Sequence, residues 1–348
     1  MKKLLSLALA FAMVLTLVAC GGSKTSTSTA PAASGSTAPA PAEKEWKIAT
    51  VVKDSSDPWF IRMEEGVQDY AAATGNNAFQ KGPATYDSAQ QVQIIEELIA
   101  QDIDAICVVP IDPAACENVL KKAMDQGIVV ITHEATTQQN CDYNIEAFDN
   151  VGYGAYMMDE LAKAMGEEGE YVCMVGFLTT ASHMEWSDAA IARQKEKYPN
   201  MKLIDIERVE TEDSMEVAYE KAKELLKTYP NLKGFLGTSS YDAPGAGKAI
   251  AELSLVGKAF AAGTSVTSCC ADQLTDGSMT AALCWDPATA GYAMNVLAEK
   301  VLNGEEADIA NGYDLGVEGY ESLNVNGKYL NGAGWIVITK DNMGEYNF

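Results

Sequence analysis

The side chains best placed to do chemistry sit where apolar runs end. After the run 46–52 come Lys53, Asp54, Asp57, Trp59 and Phe60, and after 128–132 come His133 and Glu134. Later runs lead into Ser182, His183, Glu185 and Trp186, then into Ser239, Ser240, Tyr241, Asp242 and Pro244. The last two lead into Thr264 and Ser265, and into Trp285 and Asp286. Aromatic faces stack on the apolar C–H side of a sugar ring, while carboxylates and hydroxyls take its hydroxyl groups. The mixture therefore suits a polyhydroxylated ligand, with Lys53 supplying a cation or a hydroxyl donor. Adjacent strand residues face opposite sides, so of His133 and Glu134 the glutamate is the one expected in the site. Glu134 and Asp286 follow directly on apolar strands and are expected as its polar anchors. Trp59 and Phe60 open an amphipathic helix, so one of them is also a core candidate. Trp186 reads as packing, and His183 either as a ligand contact or as an exposed residue at a helix start.

Signatures of catalysis are weak. Gly152-Tyr153-Gly154 follows no good strand, and Gly245-Ala246-Gly247-Lys248 lacks the earlier glycine and the Ser/Thr of a phosphate loop. There is no Gly-x-Ser-x-Gly elbow. No cysteine or histidine pair has zinc-finger spacing. The reading is a binding protein with no catalytic residue, no metal and no cofactor. The net charge of −24 is spread along the chain, which reads as a solubility device and argues against nucleic acid and polyanionic ligands.

The elements that must position these residues repeat one unit. Short continuous apolar runs (46–52, 105–109, 128–132, 171–175, 234–237, 259–262, 279–285) alternate with amphipathic segments (58–74, from 88, from 113, 152–165, 184–198, 214–228, 243–253, 288–302). Asp112 caps a helix that Pro113 starts. Such alternation implies parallel sheets covered on both faces, with right-handed crossovers. Two successive series of similar size make an α/β protein of two doubly wound, Rossmann-like parallel-sheet lobes joined by a hinge, and ligands bind beyond the carboxyl ends of such strands. The first lobe is expected to take 45–149 and 287–318, the second 150–286 and 319–348.

Ahead of the lobes, Lys2-Lys3 and the apolar run 4–18 form a secretory signal, too short to be a good membrane span. Its end, Leu17-Val18-Ala19-Cys20, resembles the lipobox of bacterial lipoproteins, which implies cleavage after residue 19 and a lipid on Cys20. Residues 20–44 are mostly Gly, Ser, Thr, Ala and Pro and read as a disordered tether. Of eight cysteines, Cys107 and Cys173 lie in apolar strands and read as buried thiols. Cys116 and Cys141 flank one strand-helix-strand unit and are a candidate disulfide. Cys269 and Cys270 are adjacent, where a bridge would be strained, and read as free thiols.

The ordered series resembles the sugar-type (class I) periplasmic binding proteins of ABC importers, and within them the rhamnose-binding and autoinducer-2-binding branch. The resemblance runs from Trp46 to Phe348. It is carried by Gln90-Gln91-Val92-Gln93-Ile94-Ile95, by Ile103-Asp104-Ala105-Ile106, by Lys121-Lys122-Ala123-Met124 leading into 127–132, and by the ending 339–348. It implies the type I periplasmic binding protein fold, hinge closure on a small sugar-like ligand, ABC permease and ATPase partners, and a monomer held outside the cell membrane by its lipid. The autoinducer-2 receptors use a lysine matched by Lys53 and a Pro-x-Ala element matched by Pro244-Gly245-Ala246. Their aspartate is lengthened here to Glu134, and the place of their Asp-Gln pair falls near Ser182-His183 or one residue later, where the pair is lost, so a related small sugar or sugar-like furanose is implied. The expected ligand set is Lys53, Trp59, Phe60, Glu134, Ser182, His183, Ser240, Asp242, Pro244, Ala246, Ser265, Trp285 and Asp286. Autoinducer-2, a nucleoside, or a partner sensor kinase in place of a permease remain as alternatives.

Overall fold

The computed structural model describes residues 44–348; the signal, Cys20 and nearly all of the tether read above lie outside the described residues. The chain runs β1 (Lys47–Val51), α1 (Pro58–Thr74), β2 (Asn77–Lys81), α2 (Ser88–Ile99), β3 (Ala105–Val108), α3 (Pro113–Asp125), β4 (Val129–Thr132) and β5 (Tyr143–Glu146). It continues as α4 (Asn150–Met165), β6 (Gly169–Val175), α5 (Ala181–Lys197), β7 (Met201–Leu203), β8 (Val209–Glu210), α6 (Met215–Thr228), β9 (Leu232–Gly237), α7 (Asp242–Glu252), β10 (Phe260–Thr264), α8 (Thr267–Asp276) and β11 (Met279–Cys284). It ends with α9 (Pro287–Leu302), β12 (Asn324–Asn326), β13 (Tyr329–Asn331) and β14 (Ile336–Ile338). The first sheet has the order β12-β13-β5-β4-β3-β1-β2, the second β14-β11-β10-β9-β6-β7 with β8 also on β6. Pairing is parallel except at β12 and β14.

The local causes are visible in the side chains. β3 is buried along its whole length, as its unbroken apolar run requires under helices on both faces. Five helices begin on an aspartate (Asp57, Asp87, Asp112, Asp149, Asp286) whose carboxylate accepts an otherwise orphaned backbone N–H. α9 returns to the first sheet, where Asn295 Nδ2 donates to Thr50 Oγ1 at 3.0 Å. The return is close: a Cβ on Gly66 of α1 would collide with the Ala288 backbone.

Two expectations need correction. Residues 319–348 do not belong wholly to the second lobe. β13 adds to the open edge of β5, seating Leu330 beside Ile145 in the core, and only β14 joins the second sheet. The chain therefore crosses between sheets three times, after β5, after β11 and after β13. The Cys116–Cys141 disulfide is absent, and both are buried thiols. Cys116 Sγ points to Gln91 Oε1 at 3.9 Å and Cys141 Sγ to the Gln138 carbonyl at 3.6 Å, so the two aim at different partners. Cys107, Cys173, Cys269 and Cys270 are also free.

Candidate functional site

Two residues past β1, Lys53 reaches across the strand ends to Glu134, two residues past β4. Lys53 Nζ donates to Glu134 Oε2 at 2.7 Å, with only 4% and 5% of the two side chains exposed. Glu134 has a left-handed backbone (φ 54°), which turns its side chain out of the strand alternation and into the cleft. Burial alone would raise the Glu134 carboxyl, but the Lys53 ammonium outweighs it and holds the group below its ordinary range. His133 turns elsewhere: its Nδ1–H donates to the Ile145 carbonyl at 2.6 Å. Trp59 and Phe60 enter from the first turn of α1, fixed by Asp57, which accepts from the Trp59 N–H at 2.8 Å and from the Tyr86 hydroxyl at 2.8 Å.

The second lobe faces them with a different set. His183 Nδ1 accepts the Gly176 N–H at 3.2 Å, which leaves the ring proton on Nε2. Burial pushes this imidazole down to about 3, so it is neutral. Asp213 follows Glu212, and both are left-handed (φ 49° and 59°). Its Oδ2 is buried without a hydrogen-bond partner, and burial pushes the carboxyl up to about 7. Both carboxylates lining the cavity, Glu134 and Asp213, thus stand on a backbone that non-glycine residues seldom adopt, a strain that tends to collect at functional positions. Trp285, 2% exposed, meets Trp59 edge to face at 4.5 Å between ring centres, and neither indole N–H has a partner. Trp186 spends its N–H on Asn150 Oδ1 at 2.8 Å, so it is packing by hydrogen bond while its ring still lines the cavity.

These groups close on a narrow cavity of about 20 Å³ between the lobes, room for about one water with the lobes together as they stand. Direct bonds join the lobes around it: Ser182 Oγ to Glu134 Oε2 (3.2 Å), Thr136 Oγ1 to Glu185 (2.8 Å) and Thr180 Oγ1 to the Ile111 carbonyl (3.2 Å).

Of the expected residues, Lys53, Trp59, Phe60, Glu134, His183, Ser240 and Trp285 line this cavity, and Ser182 stands behind Glu134. The others do not line it. Asp242 is spent on the Thr238 and Ser239 N–H groups (3.0 and 2.9 Å) and the Thr211 hydroxyl (2.5 Å), which positions the loop carrying Ser240. Ser265 Oγ holds the same loop through the Ser240 carbonyl at 2.8 Å. Pro244 and Ala246 are buried in α7, where Gly245 packs on Ala218 of α6. Asp286 lies outside the cavity: it caps α9 and pairs with Arg62 through two bonds of 2.6 and 2.9 Å. Tyr86, Asp213 and Thr238 line the site without having been expected, and Thr264, read at its strand end but left out of the ligand set, lines it too. Asp213 hides behind a strand of two residues, and its signal is the acid pair Glu212-Asp213 just before the Ser214 cap. Tyr86 lies in a loop between β2 and α2 with no apolar strand end beside it.

Two α/β lobes crossed three times by the chain, with a ring-walled polar cleft at the strand ends, define a ligand-capturing protein. The periplasmic binding protein domain matches residues 48–306, and the chain belongs to that family: it is a binding protein, not an enzyme, and acts outside the cytoplasm. The D-allose-binding periplasmic protein of Escherichia coli K12 is 26% identical over 269 residues, 72% of this chain and 84% of that protein. The ribose import binding protein RbsB of the same organism is 25% identical over 277 residues, 77% and 88%. Among solved structures, LsrB from Clostridium saccharobutylicum in complex with AI-2 superposes with a TM-score of 0.78 at 18% identity, over 87% of this chain and 100% of that one. An ABC transporter solute-binding protein from Clostridium phytofermentas with bound L-rhamnose gives 0.78 at 19%, over 87% and 98%. These structural likenesses establish the fold. No helix among the described residues is long and apolar enough to cross a membrane.

Proposed function

We propose that this protein captures a small sugar or sugar-like ligand between its lobes and delivers it to an ABC importer, as a monomer tethered by a lipid on Cys20. The observation that carries the ligand class is the set of buried, unpartnered polar atoms on a cavity walled by rings: Trp59 Nε1, Trp285 Nε1 and Asp213 Oδ2. Two donors and an acceptor await hydroxyl groups, and the indole faces await C–H surface. The allose- and ribose-binding relatives support the same class, and RbsB, by its name, serves import. Ligand that contacts both lobes shifts the open–closed equilibrium, because only the closed form makes both sets of contacts.

A thermal-shift screen, followed by calorimetry, tests this with D-allose, D-ribose, L-rhamnose, D-arabinose, xylitol, autoinducer-2 and the ribonucleosides. A raised melting temperature and 1:1 binding with a monosaccharide or polyol are expected. A response to nucleosides alone would overturn the reading. For the tether, Cys20→Ala should release the protein from the membrane fraction into the medium or periplasm.

A further inference from the structure

Resting on the ligand-capture reading, the charges of the cavity narrow the ligand further. Lys53 and Glu134 neutralise each other at 2.7 Å at one part of the wall. His183 is neutral. Asp213 is left over: it is 9% exposed, its Oδ2 has no partner, and the Gly176 backbone closes on it so tightly that a Cβ there would strike the carboxylate. The other acids that act on it, Asp57 and Asp242, add negative charge. Both are already held, Asp57 at the α1 cap and by Tyr86, Asp242 by the Thr238–Ser239 turn. Lys53 is the cation on the cavity lining; its charge reaches Asp213 through space, but its direct bond is spent on Glu134. A buried carboxylate without a directly bonded counter-charge is costly. Meanwhile the rings of Trp59, Trp186, Trp285, Phe60 and Tyr86 wall the space, and aromatic faces attract cations.

We propose that the ligand is a sugar or polyol bearing a basic nitrogen, an amino sugar or a ring amine with hydroxyl groups, whose ammonium seats on Asp213 Oδ2. Its hydroxyl oxygens take the Trp59 and Trp285 indole N–H groups. The neutral rim of the ring lies against the indoles, and the closed cavity then carries no net charge.

Calorimetry on the whole mature chain with matched probes tests this: D-galactosamine against D-galactose and N-acetyl-D-galactosamine, D-mannosamine against D-mannose and N-acetyl-D-mannosamine, and 1-deoxynojirimycin against 1,5-anhydro-D-glucitol. At least one amine should bind ten-fold or more tightly than its neutral twins. Asp213→Asn should remove that preference, while the exposed-face variant Glu196→Gln should keep it. If Asp213→Asn does not fold, the wild-type contrast between amine and N-acetyl probes still decides. Neutral sugars that bind as tightly as every amine would overturn the proposal and leave the sugar reading standing. Should no probe bind, and no sugar in the wider screen either, both fall together.

Discussion

Removing the charge of Glu134 while keeping its shape isolates the buried ion pair. In Glu134→Gln the Lys53 ammonium, with 4% of its side chain exposed, loses the carboxylate that now sits 2.7 Å away. Breaking one side of a buried pair costs about 3–5 kcal/mol, because an uncompensated charge stays in the interior. A second route to the same figure sets a ceiling. A stranded ammonium can shed its proton, and for an ordinary lysine at pH 7.5 that costs about 4 kcal/mol. Glutamine still accepts from Ser182 and from the amine, so about 3 kcal/mol is expected. Two further consequences follow. The unfolded variant then binds the proton that the folded variant has lost, so its stability recovers as pH rises, to within about 1 kcal/mol of wild type near pH 9.5. The double variant Lys53→Met/Glu134→Gln carries no stranded charge and should be more stable than the sum of the single losses by at least about 2 kcal/mol. Urea unfolding of the empty protein from pH 7.5 to 9.5, followed by circular dichroism, measures all three. A loss below about 1 kcal/mol at pH 7.5, with no recovery on raising pH, would refute the reasoning, since the pair would then be hydrated in the empty protein.

Asp286→Ala should lower stability by about 1–2 kcal/mol through the lost α9 cap and leave ligand affinity unchanged, by unfolding and calorimetry. Trp285→Phe keeps a ring and deletes an unpartnered donor, so affinity for a bound sugar should fall about ten-fold, while the smaller ring at this buried position lowers the melting temperature as well. Asp213 is raised by burial to about 7, so its contribution to stability is full below about pH 4 and is lost as pH rises through 7. The loss is about 4 kcal/mol at most, and Asp213→Asn should flatten that slope in the empty protein.

How far the sequence reveals this site depends on what each signal means physically. β3 and β4 are legible because a strand covered on both faces must be nearly all apolar, and 105–109 and 128–131 are. β5 reads Tyr-Asn-Ile-Glu and is not legible, because its burial comes from β13, paired with it from far along the chain. Asp286 shows the sharper lesson. The dipeptide Asp-Pro occurs at 57–58, 112–113 and 286–287, and in all three the aspartate caps a helix that the proline begins. Asp112 is read correctly by that rule, while Asp286, following an apolar strand, meets a ligand signal and a cap signal at once. The cap wins because α9 has an orphaned N–H to satisfy whether or not ligand is present, and Arg62 then holds the other oxygen. Glu134 has no helix to serve, and its left-handed backbone leaves the carboxylate free to turn inward.

The crossings between the lobes and the cavity wall share a side chain, which on the proposed function ties capture to closure. Each of the three crossings carries an aromatic: Phe148 after β5, Trp285 after β11 and Trp335 before β14. Phe148 lies 5.0 Å from Trp285 and 5.9 Å from Trp335 between ring centres, both edge to face. Trp285 reaches from this cluster into the cavity and meets Trp59 of the first lobe. Edge-to-face pairs contribute about 0.5–1.5 kcal/mol each beyond burial, and open and closed states of such a protein differ by only a few kcal/mol. A ligand that fixes Trp285 against Trp59 therefore acts on the packing of all three crossings at once. On the proposed function, selectivity in the cavity and the shape presented to a partner depend on the same ring.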